Sequence, residues 1–444
     1  MHVAIIGSGP TGLFLAAALA RRGHRVTAAD RDPGPDGGAG WRRRGVMQFH
    51  HAHAFRPQVD EALRAELPEA HAAWLAAGAE PITFELPGGQ VVPGGMRSRR
   101  ETFERALRAA VAGQPGVELR CAHVDGVTLD RSGRATGLRI GSEVVAADLV
   151  VDASGRNGRA TRSLRGPAAV TGATGIAYVD RQYQLHPGAE LGPMTNQLAW
   201  QADLDGYQVI VFPHEHGTFT VLILRPVDDP DLVLLRHEPA FEAACRAVPG
   251  LSSWTDPGRS RPIKPVLAGG AMVNHYQGQA DRDGAIRPGL VFVGDAVCTT
   301  TPNFGRGITT SLLQARELLR LLDEHRVDPD PVPARFDAWC EAHMRPWVED
   351  HVRMDEATRR RWAGHDIDLT RRIPSDLIMA AAAVDPEIGP AIGRYQGMLA
   401  GPDSLDAVEP KAAAVYRSGW RPTPAEGPDR RELARVVRGA LAPA

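Results

Sequence analysis

Val3-Ala4-Ile5-Ile6-Gly7-Ser8-Gly9-Pro10-Thr11-Gly12-Leu13 stands at the start of the chain, and its reading decides the fold. Four apolar residues without alternation read as a strand buried on both faces. A G-x-G-x-x-G follows, and then an Ala/Leu-rich helix from Leu13 to Arg22, closed by Gly23-His24. Val26-Thr27-Ala28-Ala29 is a second strand. In such a strand–turn–helix Gly7 permits the tight turn, Gly9 lets a pyrophosphate approach the backbone, and Gly12 allows close helix–strand packing. The helix N-terminus, with Pro10 and Thr11 in its first turn, offers free amides to phosphate charge. Asp30 ends the second strand at about the 20-residue spacing where a carboxylate holds a ribose hydroxyl. With Arg31 beside it, Asp30 marks the adenosine side of a bound dinucleotide.

Outward from that unit, 444 residues are too many for one core, so two or three compact units are expected. A formal net charge of −2 gives no global field that favours nucleic acid or an anionic membrane. Cys121, Cys245, Cys298 and Cys340 lie far apart, which argues against a zinc ribbon, a redox dithiol or a disulfide framework. No apolar run approaches the roughly 18 residues of a membrane span. A cytoplasmic protein, without membrane insertion, is the expectation.

Residues 33–45 read as a Gly/Pro/Arg-rich loop, Pro57–Ala77 as one helix, Pro81–Val92 as a short extended stretch and Arg100–Ala112 as a helix. Residues 117–152 alternate like a β-meander, with a turn at Asp130-Arg131-Ser132-Gly133. Strands Tyr207–Phe212 and Thr218–Leu224 flank Pro213-His214-Glu215-His216-Gly217 in a hairpin pattern, and Leu290–Val293 returns to a buried strand. The expected organisation is α/β. A discontinuous Rossmann-type domain covers 1–167 and 281–325, an antiparallel β-sheet substrate domain covers 168–280, and a mostly helical region covers 326–444.

Gly294-Asp295-Ala296 after a strand, with Thr301-Pro302-Asn303-Phe304-Gly305-Arg306-Gly307-Ile308 running into a helix, is the second signal. It resembles the GD motif of class A flavoprotein monooxygenases, which have the para-hydroxybenzoate hydroxylase-like fold. The resemblance implies FAD. Asp295 would bind the ribityl chain, and the segment from Pro302 through Gly305, Gly307 and Ile308 would face the pyrimidine edge. Arg43-Arg44-Gly45-Val46-Met47-Gln48 looks like the Arg-x-Gly-Val loop of these enzymes, with Arg43 on the cofactor. Arg100 sits where the family places an arginine near the phosphates or ribityl chain. Asp152-Ala153-Ser154-Gly155, with Arg159 and Arg162, is similar to the family's DG motif but lacks its tight Asp-Gly. The wording is nearest the squalene-epoxidase-like and polyether-epoxidase-like branch.

What the resemblance implies is oxygen transfer from O₂ to an apolar small molecule, by hydroxylation or epoxidation, through a C4a-hydroperoxyflavin. NAD(P)H visiting transiently, or a separate flavin reductase, would supply electrons, because only one G-x-G-x-x-G exists. Arg306, His51 and Phe304 are the catalytic candidates by expected proximity to the ring. His50-His51-Ala52-His53 has no fourth ligand at metal spacing, so no metal is expected. Three alternatives share or reuse the fold: an FAD-dependent dehydrogenase or ene-reductase, a flavin halogenase, and a non-catalytic flavin-binding protein. The halogenase family uses an active-site lysine and a WxWxIP segment. Here Lys264 and Lys411 are the only lysines, and that segment is absent.

Overall fold

A computed structural model describes residues 1–35, 40–41, 43, 45–85, 89, 91–270 and 272–442. Arg44 and part of the Gly-rich loop lie outside the described residues. At the centre is a five-stranded parallel sheet in the order Leu290–Phe292, Leu149–Asp152, His2–Ile6, Arg25–Asp30, Val117–Cys121. Val3, Ala4 and Ile5 are fully buried, with the helix Pro10–Arg21 and the strands Ala135–Ile140 and Glu143–Ala146 packed onto the sheet, which explains their unbroken apolar run. The helix Pro10–Arg21 packs against the helices Arg100–Ala112 and Gly307–Glu324, so the two signals read from sequence meet in space.

Two expected elements are corrected. Val117–Cys121 is not part of a meander; it pairs in parallel with Arg25–Asp30 as the sheet edge. It follows the Arg100–Ala112 helix, and a strand returning after a crossover helix joins its sheet in parallel. The meander is confined to Gly126–Leu129, Ala135–Ile140 and Glu143–Ala146, with Asp130 capping the turn through Ser132 N. The helix expected over Pro57–Ala77 is two, Pro57–Glu66 and Pro68–Ala76. Pro68 has no N–H to give and begins the second helix, where none is needed. The extended stretch after it is a hairpin, Glu80–Glu85 with Val91–Arg97.

The second layer is a six-stranded antiparallel sheet built around Ile176–Leu185, Tyr207–Pro213 and Thr218–Pro226. Ile176–Leu185 is buried on both faces, and its alternation sorts the side chains. Val179 and Tyr183 pack with the helices Glu238–Ala247 and Pro249–Thr255, while Ile176 and Tyr178 face the other way, toward the parallel-sheet unit. A small sheet of Val170–Ala173, Val273–Tyr276 and Cys298–Thr299 joins the two layers. Residues 326–444 do not form one unit. The helices from Val332 to Arg417 stack behind the Gly307 helix, whereas Leu433, Ala434 and Val437 of the last helix, Arg430–Gly439, belong to the core under the antiparallel sheet. No helix among the described residues is long and apolar enough to cross a membrane.

Candidate active site

One cavity runs from the Gly7 turn, past Asp295, to the antiparallel sheet. At its first end Gly7 has φ +99°, and a Cβ there would lie 2.7 Å from the Ala153 carbonyl oxygen. A Cβ on Gly12 would lie 2.0 Å from the Gly7 carbonyl oxygen, so Gly12 serves packing and does not line the cavity. Gly9, by contrast, faces it with only Arg43 Nη1 nearby, at 3.8 Å. Pro10 and Thr11 of the helix N-terminus complete that wall. The Asp30 carboxylate accepts from Ser8 N at 2.7 Å and from Arg43 Nη2 at 3.1 Å. Arg31, just past the end of the strand, is exposed and does not line the cavity itself, although its guanidinium lies beside Gly45, which does.

Arg43 and Arg100 both line the cavity, and one fully buried carboxylate holds them: Glu104 Oε2 takes Arg43 Nη1 at 2.5 Å, and Oε1 takes Arg100 Nε at 2.5 Å. Sequence reading missed Glu104. Its signal was the i,i+4 spacing from Arg100 on one helix face. Arg100 also donates to His53 Nε2 at 3.3 Å, while His53 Nδ1–H donates to the His51 carbonyl at 2.9 Å. Burial, with Arg100 beside it, holds His53 neutral, well below the usual imidazole range.

Asp295 lines the middle of the cavity, where burial raises its pKa against the pull of Arg100 and Arg156. Among the described residues no group hydrogen-bonds its carboxylate. A half-buried acceptor that lines the cavity without a protein partner, opposite a glycine turn and a helix N-terminus, is what a hydroxylated chain joined to a pyrophosphate would satisfy. Pro302, Gly305, Gly307 and Ile308 line the same stretch, and beyond its chain neighbours and its own helix backbone nothing described lies within 4 Å of a Cβ built on Gly307. The residues present therefore fit FAD.

Arg306 does not. It is 0% exposed and lines no part of the cavity; its guanidinium lies 4.4 Å from the Trp347 ring centroid and 4.6 Å from that of Tyr395, and Nη1 donates to His351 Nε2 at 3.1 Å. Asp350 is 3.6 Å away. The αL turn at Gly305, φ +59°, reverses the chain there, so the side chain next to a cavity-lining glycine points backward. Phe304 turns the same way, with its ring edge-on to His351. Neither lines the cavity.

His51 does line the cavity, and it carries a partner that sequence reading did not find. Its Nδ1 is 2.7 Å from Asp180 Oδ2, with Asp180 0% exposed. Burial raises the Asp180 carboxyl above the usual range, opposed by His51. Tyr178, two residues earlier on the same strand face, sits edge-on to the imidazole at 4.9 Å. Gln182, two residues later, donates to the His50 carbonyl at 2.8 Å, so the strand's period of two pins the histidine segment at successive points. Nδ1 is engaged by Asp180, and among the described residues His51 Nε2 has no hydrogen-bond partner. The wall beyond it is apolar: Phe212, Leu222, Met272 and Val273. The sequence separation of 129 between His51 and Asp180 explains why no local pattern could join them.

A second hollow adjoins the first through Arg156, which lines both; Arg162, Arg165, Arg282 and His275 line the rest. Among the described residues no carboxylate pairs with any of these four arginines. Arg165 Nε and His275 Nδ1 are buried without hydrogen-bond partners. Of the two arginines expected to accompany Asp152, Arg162 lines the hollow and Arg159 does not. Asp152 itself is spent on its own turn, accepting from Ser154 N at 2.8 Å and from Thr161 Oγ1.

Residues 2–104 match the family described as FAD dependent oxidoreductase, and residues 88–169 match the family described as tryptophan halogenase. The chain is 27% identical over 361 residues to protein Rv3254 of Mycobacterium tuberculosis, covering 72% of this chain and 73% of that one. Among solved structures it is similar to the flavin-dependent brominase Bmp2, with 15% identity, 95% of this chain and 100% of that one covered, and a TM-score of 0.65. It is likewise similar to pqsL, a probable FAD-dependent monooxygenase from Pseudomonas aeruginosa, with 18% identity, coverage of 82% and 99%, and a TM-score of 0.56. CmlS, a flavin-dependent halogenase, gives 19% identity, coverage of 89% and 76%, and a TM-score of 0.62. The chain thus has the α/β FAD-binding fold that FAD-dependent monooxygenases and halogenases share.

Proposed function

We propose that this protein is an FAD-dependent monooxygenase that hydroxylates or epoxidises an apolar small molecule. The observation that carries this reading is the continuity of one cavity. It joins the pyrophosphate turn and Asp295 to an apolar wall that lies beside the His51–Asp180 pair. Gly9, the helix at Pro10, Asp30, Arg43, Arg100 and Asp295 would hold the FAD, and the bound flavin would supply the oxygen-activating chemistry. The protein's own part is to bind, to orient and to exclude water. His51 Nε2 would take a proton from a substrate O–H or N–H, with Asp180 holding the ring in place. Placement in an epoxidase-like branch rests on the Asp152–Gly155 wording alone.

Two arrangements support NAD(P)H as electron donor. The basic hollow is lined by four arginines that have no carboxylate partner among the described residues, Arg165 being held by the Ala296 carbonyl, and Arg156 connects it to the flavin cavity. A separate flavin reductase is the alternative supply.

Halogenation is the second reading, favoured by the match over residues 88–169 and by the likeness to Bmp2. Against it, no lysine lines the cavity among the described residues: Lys411 pairs with Glu387 at the surface, and Lys264 gives its carbonyl to Arg181. The deciding experiment incubates the FAD-loaded protein, NAD(P)H and candidate apolar substrates with isotopically labelled O₂, with and without bromide. Label in the product without a halide requirement supports oxygen insertion. A bromide-dependent product establishes the halogenase reading, and turnover under strict anaerobiosis establishes a dehydrogenase.

A further inference from the structure

The cavity-lining Thr301 is also the first member of a buried polar chain that runs into the C-terminal helices. Its hydroxyl oxygen is 2.8 Å from His351 Nδ1 and 3.3 Å from Asp355 Oδ1. His351 Nε2 is 3.1 Å from Arg306 Nη1. A guanidinium only donates, so Nε2 accepts. The one ring proton of neutral His351 therefore sits on Nδ1 and is donated to Thr301. Burial, with Arg306 and Arg56 nearby, keeps His351 neutral. The Thr301 hydrogen is then left to point at Asp355, which fixes the direction Arg306 to His351 to Thr301 to Asp355. Asn274 closes the chain: Nδ2 donates to Asp355 Oδ2 at 2.6 Å, and Oδ1 accepts from Thr301 N at 2.8 Å.

Asp355 is 2% exposed, and among the described residues no cation pairs with it. The groups that bear on it are Asn274 from the strand Val273–Tyr276, Thr301, His351 and Asp350 on its own helix Arg345–Trp362, and Asp376 on the helix Ser375–Ala381. Burial, reinforced by those two acids, pushes it up to about 7.

We propose that Asp355 is a positioning residue for the flavin side of the cavity, acting through the Thr301 hydroxyl. Ionised, it draws the hydroxyl hydrogen away from the cavity. Protonated, it donates its own hydrogen to Thr301 Oγ1, which then accepts from both Asp355 and His351. The Thr301 hydrogen is then released from Asp355 and can turn toward the cavity that Thr301 lines. The C-terminal helical layer thereby sets whether the wall beside the cofactor offers a donor. The inference rests on the FAD reading but not on oxygen insertion.

The test uses the FAD-loaded protein and the visible absorption of the oxidised flavin, followed across neutral pH. The oxidised ring does not itself titrate there, so a transition reports a neighbouring group. Wild type and Thr301→Ser, which keeps the hydroxyl, are expected to show a one-proton transition near neutrality. Thr301→Val and Asp355→Asn are expected to show none, with melting curves confirming the fold. A purely structural role for Asp355 would move the melting curve and leave the spectrum indifferent to pH. A wild type without a transition, or a transition that survives in Thr301→Val, overturns the proposal. If Asp355→Asn fails to retain FAD, the Ser/Val pair decides alone. A wild type that binds no FAD at all would instead overturn the cofactor reading.

Discussion

Glu104 shows how a site can depend on a residue that touches no ligand. It is 0% exposed and is shared by two guanidiniums that face the cavity. Arg43 and Arg100 were each legible from the sequence as cofactor contacts through resemblance. The carboxylate that aims them was not, because a buried acid looks like any surface acid until its neighbours are known. Breaking a buried charged pair by removing one partner costs about 3–5 kcal/mol, since the remaining charge stays desolvated. Glu104→Gln should therefore lower the melting temperature and weaken FAD binding together. Both are measured on the same preparation, by thermal unfolding and by fluorescence titration of apoprotein with FAD. Unchanged FAD affinity would mean that Arg43 and Arg100 are held by other means. Arg306 carries the opposite lesson: its sequence neighbours line the cavity, yet an αL glycine before it turns the side chain into the helical layer. Proximity along a chain fixes the position of a backbone, not the direction of a side chain.

The turn from strand to helix at Gly7–Gly12 was the most legible part of the chain, because each glycine answers a separate steric demand. Gly12 is the strictest. A Cβ there would meet the Gly7 carbonyl oxygen at 2.0 Å, and backbone cannot swing aside as a flexible side chain can. Overpacking a close-packed interior costs about 1–3 kcal/mol, and here the strain falls on the phosphate-binding turn itself. Gly12→Ala is expected to destabilise the protein by at least that much and to reduce FAD retention through gel filtration. A stable variant with full FAD content would show that the helix can slide away from the turn. Where local signals were weaker, elements were misread. Pro68 divides what periodicity presents as one helix, and Val117–Cys121 alternates like an antiparallel strand although it pairs in parallel at a sheet edge. An edge strand is half exposed, and half exposure produces alternation whatever the direction of its partner.

The final helix crosses back to the antiparallel layer, so the order of the chain is not the order of the molecule. Long-range placement of this kind leaves no trace in composition or period. The same holds for the acids that the C-terminal helices bring together: buried Asp350 and Asp355, and half-buried Asp376, which pairs with Arg361. The burial of Asp355 makes the stability of the whole molecule depend on pH. Its pKa is about 7 in the folded protein against an ordinary value of 3.8, so the folded state holds a proton that the unfolded chain releases. The resulting stabilisation is complete below the ordinary value. It declines as pH rises between the two values and is gone above about 7. At 1.36 kcal/mol per unit the span corresponds to at most about 4 kcal/mol, of which mutual repulsion among the three acids is one part. Asp355→Asn keeps the shape and carries no titrating proton. Other groups also titrate over this range, so the informative quantity is the difference between variant and wild type. Urea unfolding at a series of pH values should show the variant gaining on wild type steadily from mildly acidic to neutral conditions, and no further above neutrality. A difference that stays flat across that range would mean that Asp355 is already ionised in acid. In that case the Thr301 hydrogen never turns toward the cavity.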